Sequence, residues 1–166
     1  GSEANEKAFK IVRQLSNIDP ERKGKYKILY RDRDYHGTTI GALSATGQHQ
    51  RKQDFGPFAE GFAEFPHALC YRCPFGKSYP GCDIDCARSL EAVILKEGPD
   101  TIGGCIVEPI TAGGGIIVPV AEYLVASREV GCSAESYDRR SNEPIGLLAP
   151  TMSSPFPTTR WFFPGG

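Results

Sequence analysis

Apolar residues recur at helical spacing near the start of the chain, at Ala8, Ile11, Val12 and Leu15, with polar side chains between them. That pattern predicts a helix from Ala4, with Ser2 as N-cap and Glu3 and Glu6 near the positive end of its dipole. Lys25 to Tyr30 alternates in part, is rich in strand formers and follows the turn Arg22-Lys23-Gly24, so a short strand is expected there. Thr38 to Thr46, between Gly37 and Gly47, predicts a second helix. Gln48 to Gly81 has no period and is crowded with Gly, Pro, Phe and polar residues, the composition of a long loop. Loops of that length in compact proteins usually cover a site or an interface.

Periodicity returns at Asp83 to Glu97, with Ala87, Leu90, Val93 and Ile94 on one face and Gly98-Pro99 as the stop. Thr101 to Val107 has the character of a buried strand. The glycines Gly113-Gly114-Gly115 and then Pro119 lead to a helix expected over Val120 to Val130. Helices alternating with strands give an α/β fold class with a mostly parallel sheet and flanking helices. From Gly131 to Gly166, Ser, Thr and Pro accumulate without period and no element is predicted. The chain thus divides into 1–130, expected to fold, and 131–166, expected to be a tail.

Composition narrows the function classes. The 166 residues carry a formal net charge of -1 and contain no apolar run long enough to cross a bilayer. Lys and Arg are scattered among acids, which leaves no electrostatic footprint for nucleic acid. No export or organelle leader is visible, so the cytoplasm is the expected compartment. The chain opens without an initiator Met on Gly1-Ser2-Glu3-Ala4-Asn5-Glu6, which reads as the interior of a longer protein. The six cysteines are expected to be reduced thiols.

Four places carry candidate chemistry. Gly1-Ser2 ahead of a helix offers free backbone N–H groups and a hydroxyl to a phosphate, although many such serines only cap. Tyr35-His36-Gly37 offers an aromatic face, a ring nitrogen and a glycine that allows close approach of a flat heteroaromatic ligand. The alternative is a packed aromatic beside a turn. Glu108-Pro109-Ile110 follows a buried strand, at the sheet edge where ligands collect, and Glu108 either holds a cation or substrate or caps the next turn. Cys70, Cys73, Cys82 and Cys86 have spacings that could close a zinc site, against the alternative of small buried thiols in a loop. Lys25, Lys27 and Lys96 read as surface charges.

Taken in order, Gly1 to Glu6, Tyr35-His36-Gly37-Thr38-Thr39 and Glu108-Pro109-Ile110 with its glycines resemble the class III pyridoxal-phosphate-dependent aminotransferases, over Gly1 to Val130. The stretch from Tyr71-Arg72-Cys73-Pro74-Phe75-Gly76 to Cys86 looks most like the taurine:pyruvate and related ω-amino-acid:pyruvate enzymes. The resemblance implies part of the large domain of a fold type I enzyme, with pyridoxal 5'-phosphate as cofactor and no metal. Gly1 and Ser2 would hold its phosphate, Tyr35 would stack on its ring, His36 and Gly37 would support that wall, and Glu108 would lie near the active site. It also implies a small-molecule amino donor, a keto-acid acceptor such as pyruvate, and a homodimer.

Two groups of the family have no match here, the aspartate that holds the ring nitrogen and the Schiff-base lysine, so no catalytic residue is assigned and the chain alone is expected to be inactive. After Val130 the family runs to Asp-Glu-Val, whereas this chain reads Asp138-Arg139-Arg140-Ser141-Asn142-Glu143. Those residues can be encoded by GAT CGA CGA AGT AAT GAA, which one base later reads Ile-Asp-Glu-Val-Met. A frameshift near Gly131 is therefore expected, making 131–166 an out-of-frame tail.

Overall fold

The computed structural model describes residues 1–135 and 160–162. Its first helix, α1 (Ser2–Ile18), buries Asn5, Phe9, Val12 and Ser16. This stripe is rotated from the predicted one, and Ile11 is left 42% exposed. Two inward contacts explain the rotation: Asn5 donates Nδ2 to the His36 carbonyl at 2.6 Å, and Phe9 packs edge-on against Phe62 with ring centroids 5.1 Å apart. The N-cap is Gly1 and not Ser2, which lies inside the helix. The Ser2 hydroxyl instead accepts the Thr38 N–H at 3.0 Å. The helix stops before Asp19-Pro20, where the residue preceding proline takes an extended backbone.

Strand β1 (Lys27–Arg31) lies between β2 (Phe62–Phe65) and β3 (Ile102–Val107), parallel to both, and β4 (Arg160–Phe162) pairs antiparallel with β3. The remaining helices are α2 (Ile40–Ser44), α3 (Asp85–Glu97) and α4 (Tyr123–Glu135). Ile28 and Tyr30 pack with Phe9, Val12, Ala42 and Ile106. Leu29 packs with Phe65, Leu90, Ile94 and Val107. The sheet is therefore covered by helices on both faces, the expected α/β architecture. A Cβ on Gly103 would come 2.5 Å from Val12 Cγ1 and 2.4 Å from the Lys25 carbonyl oxygen, so a glycine in β3 is what lets α1 approach.

Several boundaries differ from expectation for physical reasons. The segment read as a loop contains β2, whose four residues are too few and too evenly half-buried to show a period. Helix α3 starts at Asp85 because Asp83 and Ile84 have φ of +49° and +53°, which no helix continues through. Helix α4 continues past Val130, and β4 falls in a region for which no element was predicted. Its backbone covers the outer edge of β3. Asp138 to Glu143, on which the expected frameshift rests, lie outside the described residues. Lys27 is not a free surface charge: its Nζ meets the Glu97 carboxylate at 3.0 Å and the Glu97 carbonyl at 2.7 Å. Among the described residues no helix is long and apolar enough to cross a membrane.

The chain passes from β1 to β2 on one side and then to β3 on the other. This reversal of strand order opens a crevice at the carboxyl ends of β1 and β3, where ligands of open α/β sheets bind.

Candidate functional site

Two segments enter that crevice, the one after β1 carrying Asp34 to Thr38 and the one after β3 carrying Glu108 to Thr111. They are tied together by a charge network that the sequence reading missed. Arg31, the last residue of β1, is 1% exposed, and Asp34 is fully buried. Arg31 Nη2 and Nε donate to Asp34 Oδ1 at 3.0 and 3.2 Å. Nη2 also donates to the Glu108 carbonyl and to Thr111 Oγ1 at 2.9 Å. Thr111 donates onward to Asp34 Oδ1 at 2.5 Å, while Asp34 Oδ2 accepts the Glu108 N–H at 2.7 Å. The guanidinium lies 5.3 Å from the centre of the Tyr123 ring at the start of α4. Burial works against the charge on Arg31, but Asp34 and Tyr123 hold its pKa above the ordinary value. The visible signal was a charge closing an apolar strand with an acid three residues on, since a charge that deep needs a partner.

The network fixes the predicted residues. Tyr35 donates its N–H to Glu108 Oε2 at 3.0 Å, so the second and third motifs of the sequence meet directly. Burial pushes the Glu108 carboxyl up to about 6, partly offset by the Tyr35 N–H. One face of the half-buried Tyr35 ring carries the Arg51 guanidinium, 4.8 Å from its centroid. His36 is buried, and neither ring nitrogen has a hydrogen-bond partner. Burial, and then the charge on Arg31, pushes its pKa down to about 3, so the ring is neutral at pH 7.

Gly1 and Ser2 join the same place from α1. Gly37 has φ +141°, and a Cβ there would lie 2.3 Å from Ser2 Oγ and 2.8 Å from Ala42 Cβ. Gly37 thus admits the first turn of α1. Glu6 strengthens the junction by accepting from Thr39 Oγ1 at 2.5 Å and from the Ala42 N–H at 3.1 Å. The glycines after Glu108 behave similarly, because a Cβ on Gly114 would stand 2.3 Å from the Arg33 carbonyl oxygen. They bring two loops together.

This arrangement fits a phosphorylated heteroaromatic group. The first turn of α1 supplies N–H groups without helical acceptors. The half-buried Tyr35 ring and the unpartnered His36 nitrogens lie on the adjoining segment.

The cysteine quartet comes together in the fold. Cys70, Cys73, Cys82 and Cys86 line one cavity of about 20 Å³, room for a single water. Among the described residues, the one group of His, Cys, Asp or Glu close enough to share an ion lies elsewhere, at Asp32, His49 and Glu64.

Residues 1–135 match the family model described as aminotransferase class-III. A taurine–pyruvate aminotransferase of Bilophila wadsworthia is 58% identical over 130 residues, 78% of this chain and 28% of that protein. A hypotaurine/taurine–pyruvate aminotransferase of Paracoccus denitrificans is 50% identical over the same length and share. The crystal structure of the omega transaminase from Pseudomonas jessenii in complex with PMP superposes with a TM-score of 0.75 at 27% identity, covering 100% of this chain and 41% of that one. The chain spans about 28% of the length of these curated relatives. With four-fifths of its residues matched and the strand-end segments joined as described, the chain belongs to the class III aminotransferases.

Proposed function

We propose that this chain is part of a pyridoxal-phosphate enzyme that moves an amino group from an ω-amino acid of the taurine or β-alanine type to a keto acid such as pyruvate. Class III aminotransferases use pyridoxal phosphate, which when bound supplies the electron sink of transamination. In this reading Gly1 and Ser2 hold the phosphate at the positive end of α1. Tyr35 presents its open face to the ring, and neutral His36 and Gly37 hold that wall against α1. Glu108 fixes the backbone of Tyr35 and lines the site. The observation that carries the reading is the Tyr35 N–H to Glu108 bond across the strand-order reversal, with Ser2 bound to Thr38 beside it.

The chain by itself is proposed to be inactive, with residues 1–130 as the cofactor-binding unit and 131–166 outside it. Three of its lysines have other work, which supports this: Lys27 pairs with Glu97, Lys77 with Asp85, and Lys52 donates to Tyr30 Oη at 3.2 Å and the Ser44 carbonyl at 3.1 Å. A homodimer is part of the reading, and Ile110, Ile116 and Val118 beside the crevice, exposed by 38%, 77% and 65%, are apolar surface suited to a second subunit.

The test is to supply the 166-residue chain with pyridoxal phosphate, taurine and pyruvate and measure alanine. No alanine from the chain alone, and alanine from a protein extending this sequence through the family's lysine, is expected. Turnover by the chain alone would overturn the inactivity. Failure of the extended protein with taurine, β-alanine and their homologues alike would overturn the donor class.

A further inference from the structure

We propose that Asp32, His49 and Glu64 form a binding site for one divalent transition-metal ion of the zinc class. Their ligand atoms all lie within 4.8 Å of one another. The three residues come from different parts of the fold: Asp32 directly follows β1, Glu64 lies on β2, and His49 opens the short helix His49–Arg51. Register makes the meeting of the two acids unavoidable. Tyr30 pairs with Glu64, so Asp32, two residues on, projects from the same face of the sheet as its diagonal neighbour. Like charges brought together on one face of a sheet repel.

Lys52 is turned away from the pair: it is within electrostatic reach of Glu64, but its Nζ is directed to the Tyr30 hydroxyl and the Ser44 carbonyl. His67 Nδ1 donates to Asp32 Oδ2 at 2.6 Å, which orients the carboxylate in the manner of an outer-shell partner of a metal ligand. His49 Nε2 lies 3.3 Å from Glu64 Oε1 and 3.0 Å from Oε2, straddling the carboxylate. Glu64 Oε2 is shielded from solvent and has no hydrogen bond of acceptable geometry. An imidazole nitrogen and two carboxylates are donor types that a transition metal takes.

One imidazole with two carboxylates is a donor set for zinc, cobalt or manganese and is short of the six to eight oxygens calcium takes. Metal–ligand bonds of about 2.0–2.2 Å require the three atoms to draw together by roughly 1 Å. The His49 side chain, 65% exposed, is free to do so. The bound ion would clip the short helix to the sheet edge, and that helix also carries Arg51, which backs the Tyr35 ring.

The test uses the complete 166-residue chain, stripped with EDTA and kept reduced, titrated with Zn²⁺ by calorimetry and with Co²⁺ by absorption. One saturable site is expected, with Co²⁺ bands of nitrogen and oxygen ligation and no sulfur charge-transfer band. His49→Ala should weaken binding at least 100-fold, Glu64→Gln by a similar amount, and His67→Gln by about 10–100-fold. Circular dichroism identical to the parent chain establishes that His49→Ala, an exposed position, remains folded. No saturable binding would overturn the proposal. So would binding that survives His49→Ala, or a sulfur band lost in Cys82→Ser.

Discussion

The backbone N–H of Tyr35 donates to Glu108 Oε2 at 3.0 Å, across the gap between the ends of two parallel strands. Seventy-three positions separate the two residues in the chain, and the bond forms because the neighbouring Arg31–Asp34 pair brings both segments to the same point. The candidate wall is thus held by the ends of the sheet and not by the loops alone.

The Arg31–Asp34 pair is therefore expected to govern stability. Asp34→Ala leaves a guanidinium at 1% exposure without its carboxylate, and removal of one partner from a buried pair typically costs about 3–5 kcal/mol. Urea unfolding should show that loss, and Asp34→Asn a smaller one, since Asn still accepts from Arg31 and from Thr111. Equal midpoints for Asp34→Ala and the parent would refute the role.

Gly37→Ala tests the junction between α1 and the segment after β1. The positive φ and the 2.3 Å approach to Ser2 Oγ predict a loss of about 1–3 kcal/mol, with α1's first turn displaced. Hydrogen exchange at the Thr38 amide, which donates to Ser2 Oγ, reports the displacement directly. Unchanged protection there would contradict it.

The acid limb of stability should contain two opposed contributions. His36 has its folded pKa lowered to about 3 from 6.5, so between those values the unfolded chain binds the extra proton and stability falls as pH falls. Glu108 has its pKa raised from 4.5 to about 6, so between those values the folded chain binds the extra proton and stability rises as pH falls. Glu108 is half-exposed, and solvent screening limits its share to about 1 kcal/mol or less. The His36 effect should dominate, with Tm declining from pH 6.5 downward in the parent chain and more shallowly in His36→Asn. A steeper decline in His36→Asn would contradict the burial of a neutral imidazole.

Much of this was legible in the sequence. The alternation of helices and strands gave the α/β class because each long element carries its own apolar period, as α3 does through Ala87, Leu90 and Ile94. Gly1-Ser2, Tyr35-His36-Gly37 and Glu108 stand out in the sequence as candidates because few residue types offer free N–H groups, aromatic faces or an acid at a strand end. What was hidden depends on pairing across the chain. Strand β2 exists because β1 has an edge to share, and Glu64 comes to face Asp32 only through that register. Asn5 and Ser16 face inward on α1 against their polarity, Asn5 because the His36 carbonyl needs a donor there. The Cys70–Cys86 spacing suggested a metal, and in the fold these cysteines line one cavity of about 20 Å³.

The most direct test of the wall formed by Gly1, Ser2, Tyr35, His36 and Glu108 is titration of the 166-residue chain with pyridoxamine 5'-phosphate, whose amine avoids reaction with surface lysines. Fluorescence should report one saturable site, lost with unphosphorylated pyridoxamine and weakened about 10-fold or more by Tyr35→Ala, a loss of roughly 1.4 kcal/mol. Binding that ignores the phosphate, or that is equal in Tyr35→Ala and the parent chain, would contradict the account.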